Sequence, residues 1–83
     1  MNTPKLPLGY TQKKNLQNGD LVSWKTWQVI DKKLQTITNY GTILEMFTEK
    51  RGQREVYVAN ILCSKTGKTI QVNLLRLDKE ETN

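Results

Sequence analysis

The chain of 83 residues has no histidine, one cysteine, two prolines and one phenylalanine. Without histidine, zinc-finger ligand sets and all Cys-His and Ser-His-Asp nucleophilic arrangements are excluded. A single cysteine, Cys63, cannot form an internal disulfide, which fits a reducing compartment. It lies in the apolar run "NILCS", with no histidine to activate a thiolate, and is expected as a core thiol. Long apolar runs are missing too: each is broken by Lys, Glu or Asn, so no membrane span is expected. The opening "MNTPKLPLGY" has no apolar stretch of the signal-peptide kind, and export is not expected. Nor does any pair of carboxylates sit in an apolar setting. Asp20, Asp31, Glu45, Glu49 and Glu55 fall in turns or beside basic residues. These absences argue against an enzyme, and no cofactor or metal is expected.

What is present is the composition of one small folded domain, 36% hydrophobic and 25% charged. The formal charge is +5, and it is unevenly spread. The final "DKEETN" holds three acids against one Lys, so residues 1–77 carry 12 basic and 5 acidic side chains. A body at +7 attracts polyanions and anionic protein surfaces alike, and also simply keeps a small domain soluble.

Residues 1–18 contain both prolines and no apolar period, which predicts an extended N-terminal arm. Asn18-Gly19-Asp20 is a turn signal directly before "LVSW". From there the chain is rich in Val, Ile, Thr and aromatic residues in short runs, an all-β signature. Runs fall at Leu21–Trp24, Tyr40–Thr48, Val56–Ser64 and Thr69–Val72, followed by "LLRLD". Gly52 and Gly67 sit where hairpins need a positive φ. Three strands joined by two such hairpins, with one more at each end, suffice for a small five-stranded barrel over residues 19–78. Residues 79–83 form an acidic tail. The predicted core is Val22, Trp24, Ile43, Ala59, Ile61, Ile70, Val72 and Leu77. Strict alternation in the second run puts Ile43 and Glu45 on one side and Leu44 and Met46 on the other.

The stretch "KTWQVIDKKLQTITN", residues 25–39, is ambiguous. Trp27, Ile30, Leu34 and Ile37 would line one face of a helix. The same stretch also splits into "WQVI" and "LQTIT" around "DKK", and five of those nine residues are β-branched. That composition favours an irregular hairpin forming a long first loop.

"NGDLVSW", "YGTILEM" and "VYVANILCSKTGKTIQV" together resemble SH3-like barrels of the KOW and Tudor type. More narrowly they resemble the small, mostly uncharacterised SH3-like proteins encoded by tailed bacteriophages, including those of marine hosts. The resemblance covers residues 18–78 and leaves out the arm. It implies that Gly19-Asp20 turns into the first strand and that Tyr40-Gly41 closes a long loop like the RT loop of SH3 domains. It further implies that "VNLLRL" supplies a short helical turn before the last strand. The long first loop and the arm depart from the compact form of the family.

"SKTGKT", residues 64–69, suggests a phosphate-binding loop, but that motif needs a glycine where Leu62 stands and a helix where "TIQV" follows. A hairpin turn is expected instead. In "EKRGQRE", Lys50, Arg51 and Arg54 are candidate phosphate contacts at a flexible tip, or a solvated turn. Trp24 alternates in register with Val22 and is the expected core tryptophan. Trp27, Tyr40 and Tyr57, beside Lys25, Lys32 and Lys33, are the candidate partner-binding cluster. Trp27 either reads a partner or folds back to cap the barrel end or bury against the arm. Three functions fit this pattern. The first is a phage-like structural or interaction module docking on a protein partner, in a virion or in the host cytoplasm. A nucleic-acid-binding module using the basic loops and aromatics is the second, and a regulator that binds a host enzyme is the third. The oligomeric state is left open by the sequence.

Overall fold

The computed structural model describes residues 6–80. Its strands are β1 (Leu21–Ile30), β2 (Lys33–Arg51), β3 (Arg54–Cys63), β4 (Thr69–Asn73) and β5 (Asp78–Lys79). All pair antiparallel in one sheet of order β4-β3-β2-β1-β5, with β4 and β5 at its two edges. The protein is therefore all-β, and the sheet is not closed by a β4–β5 ladder. Each turn follows from its residues. Gly19, at φ 93°, donates its N–H to Ile43 C=O, while the Asp20 carboxylate accepts from Gln17 N–H at 2.9 Å. Gly52 and Gly67 take φ of 64° and 70° in the β2–β3 and β3–β4 turns. "SKTGKT" is thus a hairpin turn running into a strand, as expected. Between β4 and β5, Leu74–Arg76 make one 3₁₀ turn, capped by the Asn73 side chain accepting from Leu75 N–H.

The core cluster joins Val22 and Trp24 of β1, Ile43 of β2 and Ala59, Ile61 and Cys63 of β3 with Val72, Leu74 and Leu77. Seven of the eight predicted core residues are buried in it, and Ile70 packs against it. Cys63 is the core thiol that its apolar run implied. Its pKa is lowered, first by the Thr66 backbone N–H, then by the Thr66 hydroxyl and Lys65 N–H, against an opposing effect of burial. A lowered thiol pKa favours the thiolate in the folded state. Folding stability therefore rises as pH climbs through the folded value toward the ordinary value of 9.0, and the gain persists above it. Urea unfolding across that window is expected to show the rise in the native chain and its absence in Cys63→Ala.

Three expectations need correction. The described part of the arm is not extended: Tyr10–Asn15 is a short helix, α1. Leu8 bridges β3 at Val56, and Leu16 is buried in the core. The helix has no buried residue of its own, so anchoring at its two flanks left no apolar period to read. Second, the ladder slips between Ile43 and Glu45, a β-bulge at Leu44. Beyond it Glu45 joins Leu44 at the surface, and Met46 packs on the core instead. Third, residue 79 belongs to the sheet rather than to a tail: Val22 pairs with Lys79, whose ammonium lies 3.6 Å from the Asp20 carboxylate.

The hairpin reading of residues 25–39 holds, and the hairpin is regular. β1 runs unbroken to Ile30, and Ile30 pairs directly with Lys33 across a two-residue turn. Asp31 and Lys32 both take positive φ, 52° and 65°, the type I′ geometry that favours Asn-Gly. A lysine held there costs about 1 kcal/mol relative to glycine. Lys32→Gly is expected to slow hydrogen exchange of the ribbon amides roughly fivefold.

Candidate functional site

β1 and β2 continue past the core as a two-stranded ribbon. Over residues 25–39, among the described residues, they pair only with each other, in the register Lys25↔Thr38, Trp27↔Thr36 and Val29↔Leu34. Residues opposite each other in an antiparallel pair share a face, and neighbours along a strand alternate. Trp24 and Trp27, three positions apart, therefore lie on opposite faces of β1. Trp24 closes the core at 3% exposure, and Trp27 stands on the outer face at 67%. Among the described residues it neither caps the core nor buries against the N-terminal segment.

That outer face carries a stripe of exposed apolar side chains among Lys25, Thr36 and Thr38. Val29 and Leu34 beside Trp27 are 67% and 65% exposed. The same face carries Tyr40 further along β2, then Leu44 at the bulge and Leu62 across on β3, all exposed. Tyr40 and Leu34 are six residues apart on one strand, so this stripe extends about 20 Å along the ribbon alone. The exposed apolar area is on the order of 400 Å², within the range of the largest patch on a monomer, which is often functional.

The candidate residues are only partly brought together. Lys25 shares the outer face, between Trp27 and Tyr40. Lys32 is at the ribbon tip, and Lys33, paired with Ile30, is on the opposite face. Tyr57 is elsewhere: it pairs with Thr48 and packs against the core, with Gly9 lying over it. Lys50, Arg51 and Arg54 are at the far end of β2, the full length of the strand from the ribbon tip. There the Arg51 guanidinium is held by the Glu49 carboxylate at 3.0 Å, Arg54 donates to Leu6 C=O, and Lys50 is paired across from Glu55. The candidate basic side chains thus fall into two separated groups, not one track.

Three contributors were missed. Val29 and Leu34 join Trp27 only once the turn is placed at Asp31-Lys32, which fixes the register; "DK" is a weak signal for such a turn. Arg76 was read as part of the closing segment, yet its Nη2 donates to Lys25 C=O at 2.8 Å and braces the ribbon base. No protein-family model, curated protein or solved structure matches the chain.

Proposed function

We propose that this chain is a non-enzymatic docking module that binds a partner protein through the outer face of the β1–β2 ribbon. The observation that carries the reading is Trp27, Val29 and Leu34, each about two-thirds exposed on one face of a regular hairpin. A ribbon standing off the core and exposing this much apolar area gains little for folding and much for association. The strand order and the 3₁₀ turn before β5 support an SH3-like reading of the sheet, with the ribbon in the place of the long first loop. The resemblance to phage-encoded SH3-like proteins makes a virion component or a host enzyme the partner to test first.

Nucleic-acid binding is the second reading, favoured by Lys25 lying beside Trp27 on one face. It is weakened by the dispersal of the other cations and by the Glu49 carboxylate that holds Arg51 at the β2–β3 tip. The test is a photo-crosslinking residue at position 29, used in host extract and with RNA and duplex DNA at two salt concentrations. One protein crosslinked at stoichiometric yield, lost in Trp27→Ala, supports docking on a protein. Crosslinks to oligonucleotides that weaken steeply with salt support the second reading instead.

A further inference from the structure

The two long edges of the ribbon are not equivalent. In an antiparallel ladder each residue directs its N–H and C=O to one side, and successive residues alternate. Ile43 N–H donates to Asp20 C=O on the β1 side, and Tyr40 C=O accepts from Ser64 N–H on the β3 side. Odd positions of β2 before the bulge therefore face β1, while Leu34, Thr36 and Thr38 face outward. β3 has already turned away at Ser64, so among the described residues these three have no backbone partner on that side.

On β1 the corresponding edge is guarded at its base only, and Trp27 and Val29 beyond it have no outward backbone partner among the described residues. Leu21 C=O accepts from Glu80 N–H, which puts Lys25, Trp27 and Val29 on the outward side. Just before β5 begins, the Arg76 guanidinium donates to Lys25 C=O. Among the described residues the β2 edge has no such guard. "LQTITN", residues 34–39, contains no charge or proline, two of the devices that normally protect an edge strand. Its Thr-Ile-Thr centre also favours extended pairing.

Charge appears only at the two ends of this edge. Lys32 and Lys33 stand at the tip. At the base, Lys65 lines a notch of about 250 Å³ with Ile37, Thr38, Asn39, Tyr40 and Ser64, where β3 leaves the edge. An added strand would meet uncharged backbone along its middle and lysines at both ends.

We propose that the edge of β2 over residues 33–39 accepts an extended segment of the partner protein. That segment is β-branched or apolar at alternate positions and acidic at both ends. Its outward side chains would continue the face of Leu34 and Trp27, and the others would lie against Gln35 and Ile37. A second copy of this chain fits less well. Antiparallel self-pairing about Thr36 would set Lys33 of one copy opposite Asn39 of the other. That register brings two lysines toward Lys65 from each side.

The inference rests on the protein-docking reading and specifies how the partner is held. The test uses the full chain, isotope-labelled, with the blocked peptide Glu-Glu-Val-Thr-Val-Thr-Val-Asp-Glu at millimolar concentration and a lysine-ended version as control. Amides of Leu34, Thr36 and Thr38 are expected to exchange about tenfold more slowly with the acidic peptide than with the control. Thr36→Pro removes only an outward N–H and is expected to abolish that protection. If Thr36→Pro fails to fold, Lys65→Glu leaves the strand intact and is expected to reduce the protection. Unprotected amides with the acidic peptide overturn the proposal. Protection of the same amides without peptide, with a doubled mass, overturns it in favour of a second copy. A partner that crosslinks at position 29 while these amides stay unprotected overturns strand addition and leaves docking through Trp27 standing.

Discussion

Gly41→Ala is expected to lower the stability of the domain by about 3 kcal/mol, and Gly41→Val to prevent folding. Gly41 is not in a turn. It is interior to β2, opposite Val22 of β1 and Cys63 of β3, where the strand leaves the ribbon and enters the body of the sheet. A Cβ placed there would press on the Ile61 Cγ2 methyl, approach Leu62 C=O at 2.7 Å and meet the Trp24 ring at 3.2 Å. A flexible side chain can move aside, whereas a backbone carbonyl in a paired strand cannot. Ile61→Ala is therefore expected to rescue little, because Leu62 C=O remains. A domain of this size has a total stability of about 4–12 kcal/mol, so a loss of this magnitude is a large fraction of it. Urea unfolding followed by the emission of buried Trp24 measures it directly. An unchanged midpoint in Gly41→Ala would mean that β2 does not pass this close to β3.

The close approach at Gly41 shows how the sequence was legible and where it stopped. Local chemistry sets the turns, so Gly52 and Gly67 marked their hairpins from sequence alone. Alternation sets the core, so Val22 with Trp24 and Ala59 with Ile61 were found by period. Features decided by distant partners left no local trace. The bulge at Leu44 changes the phase of β2 through its pairing with β3, and nothing in "TILEM" announces it. Leu16 looks like one apolar residue in a polar arm, yet it completes the core from outside the sheet. The long loop expected to close at Tyr40-Gly41 is a paired ribbon, and Gly41 is the point where β2 changes partners.

The candidate site divides along the same line. Trp27, Tyr40 and Lys25, grouped in the sequence as flanks of a loop, share a face through the hairpin register, with Trp27 opposite Thr36, four positions along the strand from Tyr40. Tyr57 was grouped with them as another aromatic, but its register with Thr48 carries it to the other end of β2. Whether Trp27 was buried depended on whether anything stood over the ribbon, a question of tertiary reach that spacing does not answer.

Trp27→Ala is expected to leave the unfolding midpoint unchanged to within about 0.5 kcal/mol, as for other exposed positions. The same change is expected to weaken partner binding by 2–4 kcal/mol, about 30-fold to 1,000-fold. Exposed tryptophans on rigid ribbons make such anchors because a large ring with two torsions is fixed on docking at small entropic cost. The two tryptophans supply the internal control. Acrylamide is expected to quench Trp27 and spare Trp24, and Trp27→Ala to remove the quenchable fraction only. A fall in stability of more than 2 kcal/mol would show that the ring is packed in the free protein, and the docking reading would lose the observation it stands on. Unchanged stability with an affinity loss confined to RNA, shrinking as salt is added, would keep the face and change its ligand. Thr36→Pro separates the remaining case. If Trp27→Ala abolishes binding and Thr36→Pro does not, the partner is held by the face of the ribbon and not by its edge.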